Sequence, residues 1–329
     1  MKSWWRKGRE AAPEAPAPLA TAAHHAEHVL RRLEWKVIRR LDGLLQGDYR
    51  TLLRGSGLDL ADLREYQVYD DVRHIDWNVT ARMQSPYVRV FTEDREMSAW
   101  FLMDLSPSVD FGSSELRKHN VSAEFVAVLA RLLTRHGNRV GAMLYGSGVD
   151  TVIPTRSGRR HVLHLLHKML DRPPHVEGQV TRLKDLLGSA ASLIKRRSTV
   201  YVVSDFISEP GWEQPLAQLA QRHEVVAVRV LDPLELDLPD LGLLTLRDAE
   251  TGEQVVVDTH DAGFRKRFAR IAAQRESELR DALTRSSVDA LELSTDADLV
   301  DAIVRFIEMR KRRSQLAAGS LPAHLKRVA

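Results

Sequence analysis

The sequence predicts an α/β fold: a mostly parallel sheet with helices on both faces, accompanied by an N-terminal helix and a small β-rich module. Three observations lead there. From Ala99 onward, short apolar runs rich in β-branched residues alternate with longer amphipathic stretches, the order expected of βα units. Those runs are apolar on successive residues, as strands covered on both faces must be. The hydrophobic content, 43%, is enough to fill one large domain with a smaller unit beside it.

Taken in order, residues 9–22 (REAAPEAPAPLATA) are mostly Ala and Pro with little to bury, so residues 1–22 are expected as a flexible segment. From about His24 to Leu45, Val29, Leu30, Leu33, Val37, Ile38, Leu41, Leu44 and Leu45 recur at helical spacing, an amphipathic helix that Gly47 can end. Residues 50–96 carry Gly55, Gly57, many charges and the strand-like Tyr87-Val88-Arg89-Val90-Phe91, so 23–96 reads as a helix followed by a β-rich module. Strands are expected near 99–105, 139–145, 150–153, 199–204, 224–231 and 288–293. Helices are expected near 115–136, 159–171, 181–195, 212–222, 261–285 and 296–313. A hairpin joins 243–247 to 254–258 through Ala249-Glu250-Thr251-Gly252. The main domain is therefore 97–313, with 314–329 a basic tail.

Composition removes several functions. The absence of Cys excludes disulfides, thiolate metal sites and cysteine nucleophiles, and fits a reducing compartment. No apolar run approaches the roughly 18 residues of a membrane helix. The opening MKSWWRKGRE lacks the apolar middle of a signal peptide, so a cytoplasmic location without a membrane span is expected. With 48 basic against 45 acidic residues the net charge is only +3, which is no nucleic-acid footprint. The basic groups at Arg156, Arg159 and Arg160, at Lys195–Arg197 and at Arg310–Arg313 read as helix ends and solvated faces. His161, His164 and His167 read as one partly solvated helix face.

The candidate chemistry begins at FLMDLSPS, residues 101–108, where an apolar strand runs into Asp104-x-Ser106-x-Ser108. In extended chain these three side chains share a face, and hard oxygen donors on one face suit Mg²⁺. Alone, such a triplet is a polar turn as readily as a metal site. A second apolar run, Ser198–Phe206, stops on Asp205. Parallel strands would bring both carboxylates to the carboxyl edge of one sheet, where open α/β folds build their sites. Thr181 opens an amphipathic run, as an N-cap does, and would face the same rim.

The combination of Gly57, Asp62-Leu63-Arg64-Glu65-Tyr66, Asp70-Asp71-x-Arg73-x-Ile75-Asp76-Trp77, Thr80-Ala81-Arg82 and Asp104-x-Ser106-x-Ser108 resembles the bacterial domain-of-unknown-function family 58 (DUF58). That family is similar to von Willebrand factor A (vWA) domains, and the match runs from about residue 50 to beyond Asp205. The resemblance implies a Rossmann-like sheet bearing a metal-ion-dependent adhesion site (MIDAS) for Mg²⁺ or Mn²⁺. Asp104, Ser106 and Ser108 would form its first loop, Thr181 its second, with Thr155 and Ser157 as alternatives, and Asp205 its third. It further implies a non-enzymatic interaction module whose metal takes an acidic group of a protein partner. Members are commonly encoded beside MoxR-type AAA+ ATPases, which makes such an ATPase the implied partner. Two positions depart from the pattern: Tyr69 stands where the family usually has Gly, and Phe206 where many A domains carry Gly.

Two other readings stand beside this one. The five positions could persist as a polar cluster in a metal-free scaffold. A Mg²⁺-dependent phosphohydrolase using Asp104 as nucleophile fits poorly, because Ser106 occupies the place where a second carboxylate would act as acid and base. Arg64, Tyr66, Asp70, Asp71, Arg73, Asp76, Trp77 and Arg82 are expected as ion pairs seating the β-rich module, with Tyr66 and Trp77 buried between them.

Overall fold

The computed structural model describes residues 18–38, 40–41, 62–67, 72, 75, 77–90, 98–113, 116–171 and 180–319. The first described element is helix α1 (Pro18–Leu33), continued by a wider π turn over Glu34–Ile38. The small module follows as β1 (Asp62–Glu65), α2 (Trp77–Met83) and β2 (Tyr87–Val90), β1 and β2 pairing antiparallel. The main body runs β3 (Ser98–Asp104), α3 (Lys118–Arg135), β4 (Arg139–Tyr145), β5 (Val149–Arg156), α4 (Arg159–Leu170), α5 (Leu183–Leu193), β6 (Thr199–Ser204), α6 (Glu213–Arg222) and β7 (Glu224–Leu231). A hairpin, β8 (Leu243–Arg247) with β9 (Gln254–Asp258), precedes α7 (Ala262–Arg285), β10 (Asp289–Ser294) and α8 (Leu299–Gly319).

Six strands form one sheet in the order β5-β4-β3-β6-β7-β10, parallel except for β5 at the edge. The period-2 alternation of the strands sorts the interior into two layers. Phe101, Met103, Ala142, Leu144, Tyr201, Val203 and Val228 point toward α1, α3, α4 and α8. Leu102, Met143, Val200, Val202 and Ala227 point toward α5, α6 and α7. Every residue of β6 is buried, which is why its sequence is an unbroken apolar run. Leu30, Leu33, Ile38 and Leu41 belong to the first layer, so the N-terminal helix packs into the main core. Glu34 of the π turn accepts from Arg131 Nε of α3 at 2.6 Å.

The six expected strands all fall in this sheet, and the expected hairpin forms between the predicted residues. Several expectations change. α1 begins at Pro18, inside the stretch read as a linker, because Pro is tolerated in a first helical turn. α8 continues to Gly319, past the expected start of the tail. Trp77, the first residue of a two-turn helix, is 68% exposed rather than buried. Tyr66 is half-buried and Arg82 exposed, while Tyr69, Asp70, Asp71, Arg73 and Asp76 lie outside the described residues. His161 is buried, its Nε2 at 2.8 Å from the Val140 carbonyl, so the three histidines do not share one solvated face. Arg310 sits in ion pairs with Glu224 and Asp289, not on a free helix end.

The edge strand decides one question about the site. β5 runs antiparallel to β4, pairing Arg156 with Val140 and Val149 with Tyr145. Thr155 and Ser157 are thereby carried to the amino end of β4, opposite the end where Asp104 pairs with Tyr145. Gly141 lets β5 approach this closely, because a Cβ there would lie 2.9 Å from the Ile153 carbonyl oxygen.

Candidate functional site

Strand order fixes where a site can form. The chain builds outward from β3 through β4 to β5, then returns to add β6 on the other side of β3, so the crevice between β3 and β6 is the topological switch point. Loops leaving two adjacent parallel strands in opposite directions open a cleft at their carboxyl ends. Asp104 ends β3, and Asp205 directly follows Ser204, the last residue of β6.

Asp104, Ser106, Ser108, Thr181 and Asp205 are all buried. The first three do not align by strand alternation. β3 stops at Asp104, Ser106 is extended (φ −61°, ψ 163°), and Pro107–Asp110 form a 3₁₀ turn that brings Ser108 Oγ to 3.1 Å from Ser106 Oγ. Asp104 Oδ1 accepts from the Ser106 amide (3.0 Å) and Oδ2 from Ser204 Oγ (2.7 Å). Ser204 is a member that sequence reasoning missed. It is the last residue of an apolar strand, and its hydroxyl also accepts from the Phe206 amide (2.9 Å), tying the two loops together.

Thr181 is not the N-cap of α5. Arg182 occupies that position without a side-chain cap, and its amide donates to Tyr145 Oη at the end of β4 (3.1 Å). The Thr181 carbonyl accepts from Ser208 Oγ and the Glu209 amide, both at 3.0 Å, so its loop is bound to the loop after Asp205. The Thr181 side chain donates to Glu250 Oε1 at 2.5 Å.

The electrostatics are set by three acids and one ammonium group. Lys118, at the start of α3 and fully buried, donates to Asp205 Oδ2 at 2.8 Å and to Glu235 Oε1 at 2.5 Å. Burial would lower the Lys118 ammonium, but the two carboxylates outweigh it and raise the group. Burial pushes the Glu235 carboxyl up, and Lys118 draws it back only in part. Asp104 has hydroxyl and amide partners, and burial followed by repulsion from Asp205 pushes it up to about 6. Sequence reasoning had no hold on Lys118, an ordinary basic residue near a helix start. Glu235 did leave a signal: Asp232-x-x-Glu235 has the spacing of a capping box, and Asp232 N donates back to Glu235 Oε2 (3.1 Å).

The donor set fits a hard divalent cation. Two carboxylates that repel one another are buried beside serine hydroxyls, and an ion of charge +2 would relieve that repulsion with the oxygen ligands Mg²⁺ or Mn²⁺ prefers. Among the described residues there is no group of three or more His, Asp or Glu side chains arranged to hold a metal, so any such ion would lean on hydroxyls.

Phe206 has φ +60°, the left-handed region where glycine is at ease. The chain keeps the strain because the ring is buried against Trp212, with centroids 5.4 Å apart. Phe206→Ala loses the ring and retains the strain, at a cost of about 3–5 kcal/mol. Phe206→Gly should cost roughly 1 kcal/mol less than the alanine variant, by relieving the left-handed backbone. Urea denaturation of both variants checks the order, and alanine proving the milder would contradict it.

The family described as "Protein of unknown function DUF58" matches residues 62–278. The chain belongs to this family. The uncharacterized protein Rv1480 of Mycobacterium tuberculosis (strain ATCC 25618 / H37Rv) is 37% identical over 299 residues, covering 90% of this chain and 91% of its own. The uncharacterized protein MAV169 of Mycobacterium avium is 36% identical over 162 residues, 49% of this chain and 95% of that protein. Among solved structures, the conserved hypothetical protein BatB of Bacteroides thetaiotaomicron is 14% identical with a TM-score of 0.41, over 66% of this DUF58 chain and all but 1% of its own (99% covered). The manganese-loaded TRAP protein of Plasmodium vivax is 16% identical with a TM-score of 0.32, over 41% of this chain and 57% of that one. No described helix of the DUF58 chain is long and apolar enough to cross a membrane.

Proposed function

We propose that this DUF58 protein is a non-enzymatic, vWA-like interaction module that binds an acidic group of a protein partner through a Mg²⁺-dependent adhesion site. The observation that supports it is the pair of buried, mutually repelling carboxylates, Asp104 and Asp205, set beside serine hydroxyls at the switch point of the sheet. Asp104, Ser106, Ser108, Thr181 and Asp205 would hold the ion, with Ser204 orienting Asp104. With so few carboxylates around it the ion stays electron-poor and gains strongly from a further carboxylate, which is the chemistry it would supply. The leading partner is a MoxR-type AAA+ ATPase, and the site of action the cytoplasm. The phosphohydrolase alternative gains nothing, since the residue two places after Asp104 is Ser106, which cannot act as the acid and base.

Affinity capture on the full chain with and without Mg²⁺, and with Asp104→Ala, tests this reading. A MoxR-type ATPase retained by the wild-type chain in Mg²⁺, and lost with EDTA or with Asp104→Ala, is the expected result. Capture indifferent to both the ion and Asp104 would overturn it.

A further inference from the structure

The five candidate ligands are buried in a chain proposed to offer them to a partner, and the chain's own hairpin reaches one of them, Thr181. β8 and β9 stand largely off the body: Leu243 is 74% exposed and Val256 68%. The hairpin is fixed at its root, where buried Thr259 donates through Oγ1 to the Gly242 carbonyl (2.7 Å) and accepts from the Leu241 amide (2.9 Å). Its far end returns to the sheet. The turn is organised by Asp248, whose Oδ1 accepts from the amides of Glu250 (2.9 Å) and Thr251 (2.8 Å). This arrangement presents Glu250, and its carboxylate takes both donors of one residue, Thr181 Oγ1 at 2.5 Å and Thr181 N at 3.2 Å.

A carboxylate gripping the hydroxyl of a candidate metal ligand, from the tip of an otherwise exposed hairpin, has the chemistry expected of the partner. We infer that Glu250 is an acidic latch carried in cis, which holds the Thr181 hydroxyl that the ion and its acidic partner would use, so that the 243–258 hairpin must lift before the partner binds. The inference rests on the metal-site reading above and adds its regulation. It also names what a partner must bring: an acidic side chain at an exposed turn, able to compete with a tethered copy of itself. Tethering gives the cis carboxylate a millimolar effective concentration or more, so a partner with a single weak acidic contact would be excluded. The exposed apolar residues of β8 and β9 lie on the element that has to move.

Hydrogen exchange followed by mass spectrometry on the full chain tests the latch. In EDTA, Glu250→Ala should speed exchange across 243–258 at least tenfold while leaving the β6 core at 199–204 unchanged, and equal exchange in the two proteins would overturn the inference. Calorimetric titration with Mn²⁺ supplies the second arm. Glu250→Ala, which frees the Thr181 hydroxyl, should bind the ion at least threefold more tightly than wild type, and unchanged or weaker affinity would reject the latch. The two ideas fail separately. A wild-type chain that binds no Mn²⁺ removes the metal site and leaves the latch to the EDTA comparison. An ion bound in an Asp104-dependent way over a hairpin indifferent to Glu250 removes the latch and leaves the site.

Discussion

Asp104→Asn stabilises the chain in EDTA at neutral pH and destabilises it relative to wild type once Mg²⁺ is present. The first half follows from the buried carboxyl, raised from 3.8 to about 6 by burial and by Asp205. A folded-state pKa above the unfolded one means the native chain binds more protons between those two values. Stability therefore falls as pH rises from about 4 to about 6, then levels. The penalty at pH 7 is of order 3 kcal/mol at 1.36 kcal/mol per unit, and an uncharged amide escapes it. Asn recovers about half of this sum once its amide is seated, because Asp104 accepts from both Ser106 N and Ser204 Oγ and only one of those bonds survives unaltered. The second half follows from linkage: an ion at one hundred times its dissociation constant stabilises wild type by about 2.7 kcal/mol and does nothing for a variant that cannot hold it. Urea denaturation of both proteins from pH 4.5 to 8, with EDTA and with Mg²⁺, should show the ranking cross. A wild-type profile flat across that range in EDTA would contradict the assignment.

Lys118→Met is expected to cost about 3–5 kcal/mol. The ammonium is fully buried between Asp205 and Glu235, and its removal leaves buried carboxylates uncompensated. The loss is one of charge balance more than of packing, since Met fills nearly the volume of the lysine stem. Adding Asp205→Asn to Lys118→Met should therefore recover at least half of the lost stability, a coupling that a double-mutant cycle reads directly. Purely additive losses would show that the cluster does not act as one electrostatic unit.

Much of the fold was legible because its physics is local. β6 and β7 are buried on both faces and can only be written as apolar runs, and the hairpin announced itself by two strand-like pieces around a Gly-containing turn. The first loop and Asp205 were legible as strand ends for the same reason. Contacts made across long sequence distance left no such mark. Nothing near Lys118 in the chain points to Asp205, 87 residues on, and nothing in the turn around Glu250 points back 69 residues to Thr181. Thr181 was found for a reason the structure replaces: its hydroxyl serves Glu250, and Arg182 stands at the helix start. Trp77, expected between the ion pairs of the charged block, is 68% exposed at the start of its helix, and nothing in the local sequence marks that outcome.

We propose that the switch point of this sheet gathers Asp104, Ser106, Ser108, Thr181 and Asp205 around one divalent ion. A crystal of the full chain grown with Mn²⁺, with diffraction recorded at the manganese absorption edge, tests it most directly. The account predicts one anomalous peak within roughly 2.3 Å of Ser106 and Ser108 Oγ. Asp104, Thr181 and Asp205 should reach it directly or through one water. No peak at the end of β3, or a peak with Thr181 and Asp205 turned away from it, would contradict the account.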